Sequence, residues 1–280
     1  MEFFEITRKG TGTREWSEIS YNIHATAQPG CQHGCRYCYA RYNAFTRFKT
    51  IQRASDWLHP AIDWKKVNKK WRQRKGVIMF PTQHDITPEN LGACVTTIAN
   101  MLNSGNKVLI VTKPHLECIQ KLWGEFKDYK EQILFRFTMG TINDRDLRRW
   151  EPHAPTFDER LSCLRFAHDK GMQTSVSAEP LLGGWATAKM LHDATIDYIT
   201  DTLWYGFLNH PERMLETDAL ADEQRRDVAF WTSLDTAQFC QQLAQAVPKV
   251  RLKDSMREML EGFSSGEGWL SDNKGGDAHE

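Results

Sequence analysis

Six short runs of strand-forming residues, separated by stretches that repeat at helical period, limit what this chain can fold into. The runs cover residues 19–25, 77–80, 108–112, 134–138, 173–178 and 202–206, each between polar or turn residues. Leu91, Val95, Ile98 and Leu102 fall on one face of a helix over 91–103. Thr156, with Glu159 three residues later, makes a capping box; its helix carries Leu161, Leu164 and Phe166 and stops at Gly171. Strands that alternate with helices pair in parallel. Six such units predict an α/β fold, a partial (β/α)6 barrel whose chemistry collects at the carboxyl ends of the strands. Residues 1–206 are expected to form this core with a lead-in. Residues 207–263 read as a helical extension, with 211–260 amphipathic, and 264–280 as a frayed tail rich in Gly, Ser and Asp.

Of the 280 residues 40% are hydrophobic, enough for a sizeable core and too many for global disorder. Lys+Arg and Asp+Glu both number 36, which excludes a polyanion binder that works through bulk charge while allowing a local patch. No apolar run reaches the ~18 residues of a membrane span, and the first ten residues lack the pattern of a secretory signal. A soluble, cytoplasmic protein is expected. Its seven cysteines are then reduced thiols suited to metal chemistry, not a disulfide framework.

Three of them, Cys31, Cys35 and Cys38, are spaced C-x3-C-x2-C directly after the first strand run. Three thiolates on one short loop can grip three corners of a cubane iron–sulfur cluster and leave the fourth iron open. Gly30 and Gly34 let the loop curl around an inorganic core. A zinc site with His33 as fourth ligand is the competing reading. Structural zinc usually draws two ligand pairs from separate segments, and no second pair lies nearby in the sequence. Cys94, Cys118, Cys163 and Cys240 are scattered and read as small core residues.

The cysteine spacing resembles that of the radical S-adenosylmethionine (SAM) superfamily. That resemblance implies a 4Fe–4S cluster whose open iron chelates SAM, and one-electron cleavage of SAM to a 5′-deoxyadenosyl radical that abstracts a substrate hydrogen. Further segments narrow it: 35–41 (Cys-Arg-Tyr-Cys-Tyr-Ala-Arg), 111–114 (Val-Thr-Lys-Pro), 136–138 (Arg-Phe-Thr) and 151–160. In this order they resemble the spore photoproduct lyase-like group, over about residues 30–180. The resemblance makes Cys31, Cys35 and Cys38 the cluster ligands and puts Tyr37 beside the adenine. It gives Lys113 a SAM contact, and Thr82 and Thr138 the hydroxyl positions where the group has Ser. A lysine just past a strand end can meet a carboxylate, and hydroxyls can bond ribose or amine. The group also carries a hydrogen-donating cysteine at the end of the second strand. Pro81 stands there in this chain, so another donor, a cysteine or a tyrosine such as Tyr39, replaces it, or no hydrogen is returned in that way.

His84 and Asp85 follow the second strand on the side where active sites form, where they can bind substrate or act as acid and base. The alternative for Asp85 is a cap on the helix that begins near Thr87. Glu179, at the end of the fifth strand run, is placed to face the SAM amine or a substrate amine, or else to pair with a neighbouring loop. Glu151 and Arg160 are expected to form a structural salt bridge.

Residues 65–75 hold seven basic residues and no acid: Lys65, Lys66, Lys69, Lys70, Arg72, Arg74 and Lys75, with Trp64 and Trp71 interleaved. Such a segment can track phosphates and stack on bases. It also fits an amphipathic helix that turns Trp64, Val67 and Trp71 inward. The expected function is that of a radical SAM enzyme acting on a nucleic acid base or lesion, with a flavodoxin or ferredoxin as reductant. The alternatives are radical modification of a peptide or small metabolite, and a non-enzymatic nucleic-acid binder that carries zinc or a cluster.

Overall fold

The computed structural model describes residues 17–209 and 222–264. Among the described residues seven strands form one parallel, unclosed sheet in strictly sequential order. They are β1 (Ser17–Ser20), β2 (Val77–Phe80), β3 (Lys107–Thr112), β4 (Ile133–Thr138), β5 (Gln173–Ala178), β6 (Leu203–Tyr205) and β7 (Val250–Leu252). The principal crossover helices are α3 (Leu91–Leu102), α4 (Leu116–Phe126), α6 (Phe157–Asp169) and α7 (Trp185–Thr195), with α5 (Asp144–Trp150) before α6. Two one-turn helices, α1 (Tyr39–Tyr42) and α2 (Trp64–Val67), precede β2, and α8 (Asp222–Trp231), α9 (Leu234–Ala246) and α10 (Asp254–Ser264) follow β6.

Alternation along the strands sorts the side chains into two faces. Ile78, Phe80, Val108, Ile110, Phe135, Phe137, Val176 and Tyr205 pack outward against the helices in the main core. Val77, Leu109, Leu134 and Trp204 turn inward, with Met79 and Val111 partly buried beside them. This inner face turns polar on β4 and β5. Arg136 stands in register with Ser175 and Thr138 with Ser177. Arg136 is 2% exposed; its Nε donates to Ser175 Oγ at 3.0 Å and its guanidinium lies 3.8 Å from Asp201.

The expected α/β partial barrel is what forms, with three differences. The first strand ends at Ser20, and 21–25 continue as an irregular segment that bridges at His24 to Ile62. The stretch 211–260 is not helical throughout: 210–221 lie outside the described residues, and Val250–Leu252 add a seventh strand. The third difference is the basic segment, which forms one turn of helix and not a long amphipathic one. Asp63 caps α2 by accepting from Lys65 N and Lys66 N. Continuing the helix would stack Lys65 on Lys69, Lys66 on Lys70 and Lys70 on Arg74, like charges four residues apart. Trp64 is 59% exposed, not inward. Trp71 is buried edge-on to Tyr21, with the Lys69 ammonium over both rings. Of the lead-in, 1–16 lie outside the described residues, as do 265–280 of the tail. Among the described residues no helix is long and apolar enough to cross a membrane.

Candidate active site

The loop from Cys31 to Cys38 sits at the carboxyl end of the sheet and is held from two sides. On the outer side Cys31, Ala40, Ala44, Ile51 and Trp57 form a small apolar cluster, with Cys38 and Phe45 against it. Cys31 N donates to Trp57 O at 2.8 Å. At Gly30 a Cβ would lie 2.1 Å from that same carbonyl, so no other residue fits. Gly34 takes a left-handed backbone, φ +61°, that lets the loop reverse between the first two cysteines.

On the barrel side the loop meets Asp85, which lies just beyond β2. Asp85 Oδ1 accepts from Lys113 N at 2.7 Å, and Oδ2 faces Lys113 Nζ at 3.4 Å and His33 Nδ1 at 2.9 Å. The carboxylate can only accept, so Nδ1 of His33 carries a hydrogen, and its Nε2 meets His115 Nε2 at 2.9 Å. Burial works against the Asp85 charge, but the Lys113 ammonium and His33 overcome it and hold the carboxyl well below its usual range. Asp85 does not cap a helix; the N-cap position of α3 belongs to Asn90.

A second buried network adjoins the first. The Tyr37 hydroxyl donates to Glu151 Oε1, and Arg160 NH2 donates to Glu151 Oε2. The Glu151 and Arg160 side chains are wholly buried, and this is the expected salt bridge. Arg160 also donates to Pro155 O and Thr138 O. Lys113 Nζ lies 5.8 Å over the Tyr37 ring and so links the two networks.

Other sequence-selected residues are more dispersed. Thr138 is buried on the inner face. Thr82 Oγ1 donates to Tyr21 O at 3.3 Å, and Thr82 O accepts from the half-exposed Tyr39 hydroxyl at 3.0 Å. His84 does not meet the Asp85 carboxylate: its Nδ1 donates to the Asp85 backbone O at 2.9 Å, and its ring lies tilted against that of His24, centroids 4.0 Å apart. Burial lowers the pKa of His84 to about 4 and that of His24 to about 3. Glu179 accepts from Asn209 Nδ2 at 3.1 Å and pairs with Lys253 Nζ at 3.2 Å. Lys253 follows β7, is 1% exposed and lies over Trp204. The sequence reading did not single it out: Lys113 stands out through the Val-Thr-Lys-Pro segment of the resemblance, and Lys253 lies in no such segment. The basic segment does not gather at the mouth: Ser104 Oγ donates to Trp71 O and Arg74 N to Asn106 Oδ1, which holds 71–74 beside the amino end of β3.

All seven cysteines are free thiols. Burial pushes Cys35 up to about 12, Cys31 well above its ordinary value, and Cys38 upward. Thiolates in such a pocket need a metal to hold them deprotonated. Amide N–H groups are already aimed at the sulfurs: Asp85 N lies 3.4 Å from Cys31 Sγ, and Ala40 and Arg41 N–H groups face Cys38. The Trp57 indole N–H is buried without an acceptor among the described residues, in the cluster that contains Cys31. Three sulfurs, those of Cys31 and Cys38 with amide donors, and a spare N–H suit an iron–sulfur cluster, whose sulfurs accept such bonds. A smaller donor set overlaps it: one ligand atom each from Cys31, His33 and Asp85 lie within 4.8 Å of one another.

No family model matches the chain. Its open parallel barrel is similar in fold to that of spore photoproduct lyase. A variant of that enzyme with a dinucleoside spore photoproduct superposes with a TM-score of 0.53 at 14% identity, over 89% of this chain and 78% of that one. A second variant, with bound SAM and the dinucleoside, gives 0.53 at 13% identity over the same shares. In sequence, an uncharacterized protein of Acidianus two-tailed virus, ORF301, is 29% identical over 164 residues, 54% of this chain. The match spans about half the length of that relative, 53%.

Proposed function

We propose that this chain is a radical SAM enzyme. The observation that carries the reading is the gathering of Cys31, Cys35 and Cys38 on one loop at the carboxyl end of an open parallel barrel. In this reading the three thiolates hold a 4Fe–4S cluster. Bound there with SAM, the cluster would supply one-electron reductive cleavage and a 5′-deoxyadenosyl radical for hydrogen abstraction.

The chain's own residues then have defined work. Asp85 fixes Lys113 at the edge of the cysteine loop, where its ammonium can receive the SAM carboxylate. Tyr37, anchored through Glu151 and Arg160, offers a rigid ring to the adenine. Thr82, Thr138 and Glu179 line the route to ribose, amine or substrate, and Tyr39 at the rim is the candidate hydrogen donor in place of Pro81. His84 and Asp85 support the site from behind and do not act as an acid–base pair, since their side chains face different partners.

The substrate we favour is a nucleic acid base or lesion, because the fold neighbour was solved with a dinucleoside photoproduct; Lys65, Lys69, Lys70, Arg72, Arg74 and Lys75 are exposed, but with 71–74 held beside the amino end of β3 they do not line the mouth and add no support for it. Lys66 and Trp71 are less available: the Lys66 ammonium donates to His24 O and Trp71 is buried. A repair role in the cytoplasm, fed by a flavodoxin or ferredoxin, completes the reading. The compact set of Cys31, His33 and Asp85 favours a second reading, a single zinc ion in a non-enzymatic protein.

The test is anaerobic reconstitution with iron and sulfide, then SAM and dithionite. Release of 5′-deoxyadenosine that is lost in Cys38→Ala is expected. Zinc-loaded, colourless protein that leaves SAM intact would favour the second reading. Incubation with ultraviolet-irradiated DNA then asks for the substrate.

A further inference from the structure

Behind the cysteine loop the chain makes a small projection that none of the preceding roles uses. After α1, residues Asn43–Arg47 form one wide π-helical turn. The chain then reverses: Phe48 N donates to Asn43 O at 2.7 Å, and Thr50 N to Ala44 O at 2.8 Å. Lys49, at the reversal, has a left-handed backbone, φ 51°, a conformation that a lysine rarely adopts. The tip that results is Arg47-Phe48-Lys49. Phe48 is 61% exposed, the highest among the large hydrophobics around this loop. Arg47 and Lys49 flank it, both exposed, and the Arg47 guanidinium lies 5.4 Å from the Phe48 ring. From Arg36 through Arg53 there are five basic residues and no acid, of which Arg47, Lys49 and Arg53 are exposed.

The tip's position matters more than its charge. The segment that carries it also supplies Ala44, Ile51 and Trp57, the apolar backing of Cys31. Asp85, Lys113 and Tyr37 occupy the barrel side of the same loop, so a substrate that enters the barrel meets those residues. A partner seated on the tip approaches the sulfurs from the side of the apolar cluster of Ala40, Ala44, Ile51 and Trp57. A basic, aromatic-centred patch on that face complements an acidic protein that delivers single electrons. Nucleic acid, by contrast, has to reach the barrel mouth.

We infer that the Arg47-Phe48-Lys49 tip is the docking surface for an acidic one-electron carrier protein of the flavodoxin or ferredoxin type. The inference rests on the radical SAM reading above, which requires such a donor. Phe48 is the apolar anchor at the centre, and Arg47 and Lys49 steer the encounter and fix its register.

The test compares two reductants on the reconstituted protein. With dithionite, a small ion that needs no docking surface, Arg47→Glu/Lys49→Glu should release 5′-deoxyadenosine as fast as the unaltered chain. With photoreduced flavodoxin its rate at low donor concentration should fall about tenfold or more, and its dependence on salt should flatten. Phe48→Ser should weaken donor binding with little change in salt dependence. Equal flavodoxin-driven rates in all three proteins would overturn the docking surface while leaving the radical SAM reading intact. A loss of oligonucleotide binding with donor rates unchanged would overturn it in favour of a nucleic acid surface. If the unaltered chain releases nothing even with dithionite, the radical SAM reading itself fails. If the charge-reversed protein is unstable, Arg47→Gln/Lys49→Gln carries the same comparison.

Discussion

Lys113 is bound to Asp85 twice, through its backbone N–H to Oδ1 at 2.7 Å and through its ammonium to Oδ2 at 3.4 Å. One carboxylate thereby fixes both the end of β3 and the direction of the lysine that leaves it. Asp85→Asn keeps the shape and removes the charge, which leaves a buried ammonium without its counter-ion. Stability should fall by about 3 kcal/mol, read by urea unfolding, and Lys113→Met in the same protein should recover part of the loss. Lys113→Met alone should weaken SAM binding by tenfold to about a hundredfold, the worth of one charged hydrogen bond. Unchanged SAM binding by calorimetry would remove Lys113 from the cofactor site.

Glu151 and Arg160 form the most deeply buried ion pair among those described, with Tyr37 as the third partner. Arg160→Met strands a carboxylate in the core and should cost about 3–5 kcal/mol. The double change Glu151→Leu/Arg160→Met should cost less than the two single changes added together. Additive losses would mean that the two charges do not act as a pair.

The neighbouring His24 and His84 rings predict how stability depends on pH. Burial lowers both, to about 3 and about 4 from an ordinary 6.5. Between pH 6.5 and 4 the unfolded chain therefore holds more protons than the folded one. Their contribution is complete above pH 6.5 and is lost progressively as the pH falls toward 4, at about 1 kcal/mol or more per unit. Urea unfolding at pH 7.5 and 5 should show this drop, and His24→Gln should reduce it. A drop of the same size in the variant would show that other groups are responsible.

The cysteines divide into two sets. Cys94, Cys118, Cys163 and Cys240 are completely buried in the main core, so their alanine variants should keep full iron content and lose about 1 kcal/mol each for the small cavity created. Alanine at Cys31, Cys35 or Cys38 should abolish the iron chromophore. Iron loss from a variant of the first set, with its fold intact, would enlarge the ligand set.

What the sequence could reveal followed from local pattern. Five of the seven strands begin and end within a residue of where short apolar runs lie between helices, because a parallel strand buried on one side by helices must be apolar and short. β7 escaped because Val250–Leu252 is only three residues long and sits between two amphipathic helices; Lys253 was missed with it. The pairing of His33 with Asp85 joins residues 52 apart, and no spacing rule connects them. His84 and Asp85 were read as one unit because they are adjacent, yet the chain turns one toward His24 and the other toward Lys113. The basic stretch was read at helical period because Trp64, Val67 and Trp71 fit it. That period ignores the like charges four residues apart, which oppose a longer helix.

The central claim is that Cys31, Cys35 and Cys38 hold a cluster with one iron left open for SAM. Mössbauer spectroscopy of anaerobically reconstituted, iron-57-labelled protein, with and without SAM, measures this directly. The account predicts about four irons per chain, one of which changes its signal when SAM is added. One metal ion per chain, or four irons that ignore SAM, would contradict it.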